Sequence, residues 1–191
     1  MKILLLGPQG SGKGTQAKRI SAEYSIPHIA TGDILRDAIA QETPLGREVK
    51  PIVENGRLVS DELMTALIRE RLEADDATNG FVLDGFPRTL AQAEALDAML
   101  REIARELSIV FELQISDEGC TERLLKRAHD EGRKDDTPDV IARRLEIYHR
   151  ETEPLVEHYR AQGIGVGVQA DATVNEVFNQ IQQALEQVAV R

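Results

Sequence analysis

The apolar run Ile3 to Leu6 passes directly into GPQGSGKGT, Gly7 to Thr15, and then into a helical pattern through Ala17 and Ile20. Strand, glycine-rich turn and helix, in that order, is the setting a phosphate-binding loop requires. Glycines at 7, 10, 12 and 14 permit positive φ and remove side chains. Successive backbone N–H groups can then converge on phosphate oxygens at the positive end of the helix. Lys13 adds a positive charge for which a bare turn has no use. The triphosphate side of a site is therefore expected on Gly10, Ser11, Gly12, Lys13, Gly14 and Thr15. A dinucleotide-binding turn does not fit, because G-x-G-x-x-G placed on Gly10 and Gly12 would need glycine where Thr15 stands. Gly14 also occupies the position at which such loops usually carry a metal-binding hydroxyl, which counts against direct metal coordination by the loop.

Beyond the loop, short apolar runs alternate with longer helical stretches, the layout of a parallel sheet covered by helices on both faces. Five strands are expected: Ile3 to Leu6, Ile26 to Ile29, Phe81 to Leu83, Ile109 to Leu113 and Ile164 to Val168. Each is continuous in apolar or glycine residues, as a strand buried on both sides should be. Leu90, Ala93, Leu96, Leu100, Ile103 and Leu107 recur at helical spacing and predict a crossover helix. Thr137 and Pro138 predict the start of a long helix whose stripe runs through Ile141, Leu145, Tyr148, Thr152, Leu155 and Tyr159. Thr173 with Glu176 reads as a capping box before a final helix with Val174, Val177, Phe178, Ile181, Leu185 and Val188 on its apolar face. A chain of 191 residues without repeats or long linkers fits one α/β domain.

Charge narrows the partners. With 23 basic and 33 acidic side chains the net charge is −10, which disfavours nucleic acid and makes any anion site a local feature. Cys120 is the only cysteine, so an intrachain disulfide and a finger-type zinc site are both excluded. The histidines lack H-x-x-x-H spacing, and His28 stands alone, so ordinary packing or surface roles are expected of all four rather than metal binding. The start MKILLLGPQG is too short in apolar residues for a signal or a membrane span, so no membrane partner is expected and a reducing cytoplasm is the expected compartment.

What accepts a phosphate is indicated by DGFPRT, Asp84 to Thr89, directly after the strand FVL. Asp84 is thereby placed at the carboxyl end of a parallel strand, where ligands collect, and could organise Mg2+ through water. Gly85 allows close approach, Pro87 stiffens the turn, and Arg88 offers a forked donor for a second phosphate.

Together GPQGSGKGT, TGDILR at 31 to 36, NGRLVSDEL at 55 to 63 and DGFPRTLAQA at 84 to 93 resemble adenylate kinase, and the match runs nearly end to end. The resemblance implies a core of residues 1–29, 60–126 and 134–191, a helical arm for the nucleoside monophosphate at 30–59 and a short lid at 127–133. It assigns Thr31, Gly32 and Arg36 to AMP, Arg57, Leu58 and Val59 to its ribose and base pocket, and Gly85, Phe86, Pro87, Arg88 and Gln92 to phosphate and adenine. Arg36 and Arg88 are planar charged forks suited to phosphate, and the Gln92 amide can both donate to and accept from an adenine edge.

The segment from Arg123 resembles the short form of the family's lid region. Arg123 and Arg127 share a helix face and are implied on the ATP side; Arg133 and Arg144 match arginines that close over the transferring group and AMP. Asp135 and Asp136 either orient these arginines or form a solvated pair. Ala172 aligns with a backbone contact to the ATP adenine. The implied reaction moves a phosphoryl group from Mg-ATP to AMP, giving two ADP. Lys13, Arg88, Arg127, Arg133 and Arg144 would neutralise the moving charge. No structural zinc is expected in so short a lid, and the family implies a monomer. A kinase acting on UMP or CMP would usually carry Asn at the position of Thr89 and lack Gln92.

Overall fold

The structure, a computed structural model, describes residues 1–131 and 136–189. Five strands form one parallel sheet: β1 (Lys2–Leu6), β2 (His28–Ala30), β3 (Phe81–Asp84), β4 (Ile109–Gln114) and β5 (Gly165–Gln169), in the spatial order β2-β3-β1-β4-β5. The five expected runs are all strands, with shifted ends. β2 starts two residues later than Ile26 because Pro27 has no N–H for the ladder, although its carbonyl still accepts from Val82 at 2.8 Å.

Alternation along the strands divides the core. Leu4, Leu6, Leu83 and Val110 face one layer with α4 (Asp61–Glu73), α5 (Leu90–Glu102) and α8 (Pro154–Ala161). Ile3, Leu5, Val82 and Phe111 face the other with α1 (Lys13–Tyr24) and α9 (Val174–Ala189). Between β2 and α4 lie α2 (Thr31–Ala40) and α3 (Pro44–Glu54). These cross closely at Gly46, where a Cβ would lie 1.9 Å from the Ala38 carbonyl oxygen. A third cluster joins α6 (Asp117–Glu131) to α7 (Pro138–Ile147) through Cys120, Leu124, Ile141 and Leu145.

The helix signals hold with three corrections. Thr137 caps α7 by accepting from the Val140 N–H, and Thr173 and Glu176 bond reciprocally, Thr173 N to Glu176 Oε2 at 2.9 Å and Glu176 N to Thr173 Oγ1 at 3.3 Å. The α5 stripe, however, is shorter than its periodicity: Leu90 at the first turn is exposed, and the helix ends at Glu102, leaving Ile103 and Leu107 to pack on the core from the following loop. At the start of α9, Val174 is likewise exposed. Nor is the long helix from Pro138 uniform. It widens into a π turn over Tyr148–Thr152, closed by the Glu153 N–H to the Tyr148 carbonyl at 2.9 Å, before α8 resumes at Pro154. Pro154 has no N–H for the Arg150 carbonyl and its ring crowds that group, so the α ladder cannot run through.

Candidate active site

Parallel register sets the frame. Leu5 of β1 lies beside Asp84 of β3, so the glycine loop after β1 and the DGFPRT turn after β3 emerge side by side at the carboxyl edge of the sheet. Gly10 has φ +87°, and a Cβ there would meet the Cys120 carbonyl oxygen at 2.7 Å; the loop lies on the first turn of α6 too closely for any side chain. Lys13 opens α1, and its Nζ donates to the Gly7 and Pro8 carbonyls at 2.7 and 2.8 Å, leaving one ammonium proton for a ligand. Burial pushes Lys13 down to about 8, with Asp84 opposing and Arg88 adding to the shift. Among the described residues, Ser11 Oγ and Gln9 Oε1 are buried without a hydrogen-bond partner. Thr15 is exposed at the rim.

Asp84 has two close neighbours. His28 Nε2 lies 3.5 Å from its Oδ2, and a Cβ on Gly14 would lie 3.6 Å from the same oxygen. Burial resists ionisation of Asp84, but His28, Lys13 and Arg88 outweigh it and hold the carboxyl below its ordinary value. Of packing and a surface role, His28 thus takes packing, and against the acid of the site. A charged oxygen donor facing the loop, with no hydroxyl at position 14, suits a hydrated Mg2+ better than a directly ligated one. Among the described residues no group of three or more His, Cys, Asp or Glu side chains could hold a metal ion.

The DGFPRT turn is pinned at several points. Arg88 N donates to Gln92 Oε1 and its Nε to the Gly85 carbonyl, both at 2.7 Å, while the Arg88 carbonyl accepts from Thr152 Oγ1 at 2.8 Å. Burial lowers the basicity of the Arg88 guanidinium, opposed by Asp84 and assisted by Arg144 and Arg36. Gln92 Nε2 donates to Asp61 Oδ1 at 2.7 Å, so the amide directed by resemblance to adenine retains one N–H and one lone pair for a base. Thr31 Oγ1 donates to the Asp84 carbonyl at 3.4 Å, and Arg36 is paired with Asp33 on its own helix. Phe86 departs from expectation: its ring is 1% exposed, belongs to the core beneath the turn and does not line the cavity.

Arginines from α6 and α7 meet on a single acid. Asp136, with its side chain 0% exposed, accepts from Arg127 Nε and Nη2 at 2.9 and 2.6 Å and from Arg144 Nη1 at 2.8 Å. Of the two readings for this residue, a solvated partner is overturned by its burial. Arg144 also reaches the Val53 carbonyl of α3 at 3.4 Å, and Arg123 donates to the Ala170 carbonyl at 2.8 Å, beside Ala172. Arg133 and Asp135 lie outside the described residues.

One cavity of about 710 Å³ takes in both turns; Phe86, Asp61 and Asp136 do not border it. Every other described candidate borders it: Gly10, Ser11, Gly12, Lys13, Gly14, Thr15, Arg123, Arg127 and Ala172 toward the loop, and Thr31, Gly32, Arg36, Arg57, Leu58, Val59, Gly85, Pro87, Arg88, Gln92 and Arg144 toward the DGFPRT turn, with Asp84 between. Its cations are Lys13, Lys18, Arg36, Arg57, Arg88, Arg123, Lys126, Arg127 and Arg144, against the acids Asp33, Asp84 and Asp130. A chain of net charge −10 has thus gathered positive charge into one cleft, the condition for binding a polyanion.

A family model described as adenylate kinase matches residues 5–164. The chain belongs to the adenylate kinase family. Similar proteins include an adenylate kinase of Micrococcus luteus, 48% identical over 187 residues covering 98% of this chain and 91% of the relative. One from a Cyanothece species is 46% identical over 187 residues, covering 98% and 96%. One from Clostridium botulinum is 44% identical over 212 aligned positions, covering 97% and 98%. That last alignment is longer than this chain of 191 residues, so the clostridial relative carries inserted residues that this family member lacks. As a member of this family the chain is a phosphotransferase.

Several residues that line or support the cleft escaped the sequence. Asp61 is fixed by Gln92 and by Thr89, whose Oγ1 donates to Asp61 Oδ2 at 3.1 Å; on its own it reads as an acidic first-turn residue of α4. Gln16 Nε2 donates to the Val174 carbonyl at 3.0 Å, tying α1 to the start of α9. Tyr148 and Thr152 have the spacing of an apolar stripe and nothing more, yet both line the cleft. Pro154, two residues beyond Thr152, is the sequence signal of a local break in that helix.

Proposed function

We propose that this family member transfers a phosphoryl group from Mg-ATP to AMP, giving two ADP, and so maintains the balance of adenine nucleotides. The observation carrying this is the continuity of one cationic cleft from the Lys13 loop to the Arg88 turn, with Arg127 and Arg144 held between them by Asp136. Such a cleft accommodates two nucleotides with their phosphates meeting. Loop N–H groups and Lys13 would hold the ATP phosphates, with Arg123 and the backbone at Ala172 near the base. Segment 30–59 would be the arm that holds AMP through Thr31, Gly32, Arg36, Arg57, Leu58 and Val59, while Gly85, Pro87, Arg88 and Gln92 take its phosphate and base. Phe86 would support that turn from below.

Transfer needs no nucleophilic side chain. Its transition state is loose, so positioning and charge neutralisation supply the rate. Lys13, Arg88, Arg127 and Arg144, with Arg133 from the short lid at 127–133, would do this. Bound Mg2+ would neutralise charge on the donor oxygens, with Asp84 holding its water shell. Closure over the cleft would exclude water and prevent hydrolysis of ATP. Cys120 is buried with its thiol pushed up to about 11 and so supplies no nucleophile; the protein would work as a monomer in the cytoplasm.

Purified protein mixed with ATP, Mg2+ and each nucleoside monophosphate in turn is the decisive assay. Diphosphate formation is expected with AMP. Turnover with UMP or CMP but not AMP would overturn the acceptor, and ATP loss without any acceptor would mark a hydrolase.

A further inference from the structure

We infer that Thr152, carried on the π turn before Pro154, is a positioning residue for Arg88. This rests on the proposed role of Arg88 in holding the acceptor phosphate. Arg88 immediately precedes Thr89, the residue that caps α5, so its carbonyl lies outside the helix and gains no partner from the α5 ladder. Thr152 supplies that partner: its hydroxyl donates to the carbonyl at 2.8 Å from a side chain buried against the turn. The remaining anchors are Gln92 at the Arg88 N–H and the Gly85 carbonyl at Nε. Backbone and Nε are thereby fixed, and the two Nη amino groups are left to meet a phosphate as a preset fork.

The π turn gives this contact a local cause. Widening the helix by one residue rotates the downstream side chains by about 100° relative to an unbroken α-helix. Pro154 forces that widening, and Tyr148 and Thr152 within it border the cleft. A threonine serving only the apolar stripe would have no need of its hydroxyl. Here the hydroxyl joins the α7–α8 layer to the arginine next to the cis Phe86–Pro87 peptide.

Thr152→Val removes the hydroxyl at nearly constant volume and Thr152→Ser retains it. Each is measured for kcat and for the KM of ATP and of the monophosphate acceptor, in the native background and with Arg88→Lys. Thr152→Val should lower kcat on the acceptor side about tenfold, from an unpaired buried carbonyl and a loosened fork. The KM of ATP should stay within about twofold, Ser should restore the loss, and in the Arg88→Lys background the same change should cost less than about twofold. Unchanged activity of Thr152→Val, an equal loss in both backgrounds, or no rescue by Ser would overturn the inference. If Val does not fold, Thr152→Ala enters the same cycle. If neither hydroxyl-free variant folds while Ser does, the hydroxyl is a requirement of the fold and the positioning role is refuted. A wild-type protein inactive with AMP refutes the functional reading instead, and the cycle is then run with whichever monophosphate is accepted.

Discussion

The two ends of the cleft are built by different means. On the loop side one consecutive stretch, Gly7 to Thr15, carries four glycines and borders the cleft at every residue but Pro8, held by strand β1, helix α1 and the floor of α6. The opposite end is assembled from side chains scattered over the chain: Thr31 from α2, Asp61 from α4, Arg88 and Gln92 around the start of α5, Arg144 from α7 and Thr152 from the π turn. A backbone cradle depends on local conformation and tolerates few side chains. The side-chain end depends on packing between helices, with Asp61, Gln92, Arg88 and Thr152 joined in one chain of hydrogen bonds. Damage should therefore stay local at the loop and spread at the acceptor end.

The largest expected effect is at Arg88. Arg88→Ala should lower kcat/KM by about 100- to 1,000-fold with little change in melting temperature if, as proposed, its guanidinium serves the ligand rather than the fold. Near-normal turnover would remove Arg88 from the site and dissolve the contrast. Next comes Gly46, which does not border the cleft. With a Cβ 1.9 Å from the Ala38 oxygen, Gly46→Ala should force α2 from α3 at a cost of about 1–3 kcal/mol or more. Calorimetric titration should show AMP affinity falling with ATP affinity retained. Equal losses for both nucleotides would mean that the two ends are not separately built.

Lys13 sharpens the donor side through protons. Its value of about 8 in the free protein should rise when phosphate replaces water around the ammonium. Below about pH 8 the lysine is charged before and after binding and no proton moves. Above it the free lysine loses its proton, so ATP binding must take one up and affinity should fall as pH rises. Titration at pH 8.5 in buffers of different ionisation enthalpy measures that uptake, and its absence would contradict the role of Lys13. The smallest effect concerns His149, on the π turn, which contacts Glu153 at 2.9 Å and Asp117 of α6 at 3.0 Å. Hydrogen bonds donated by the imidazolium to Glu153 and Asp117 raise it above its usual value. The stabilisation is full below the unfolded value near 6.5 and is lost as pH rises through the folded one. Because the ring is 45% exposed, His149→Gln should cost only about 0–1 kcal/mol in acid and still less at high pH. Urea unfolding at two pH values checks the sign.

The sequence by itself determined what local rules control. Strand-sized apolar runs, the glycine loop with its lysine, the caps at Thr137 and Thr173, and the strand-end position of Asp84 all come from periodicity and backbone preference within a few residues. Only the tertiary structure decided the rest. Asp136 differs from any solvated aspartate solely because α6 and α7 converge on it, and Phe86 leaves the cleft because the turn packs its ring downward into the core. Thr152 has the spacing of a core stripe, and its bond to Arg88, 64 residues away, exists only once two helical layers meet over the sheet. Long-range side-chain pairing of this kind has no period and no local propensity, so the folded chain alone specifies it.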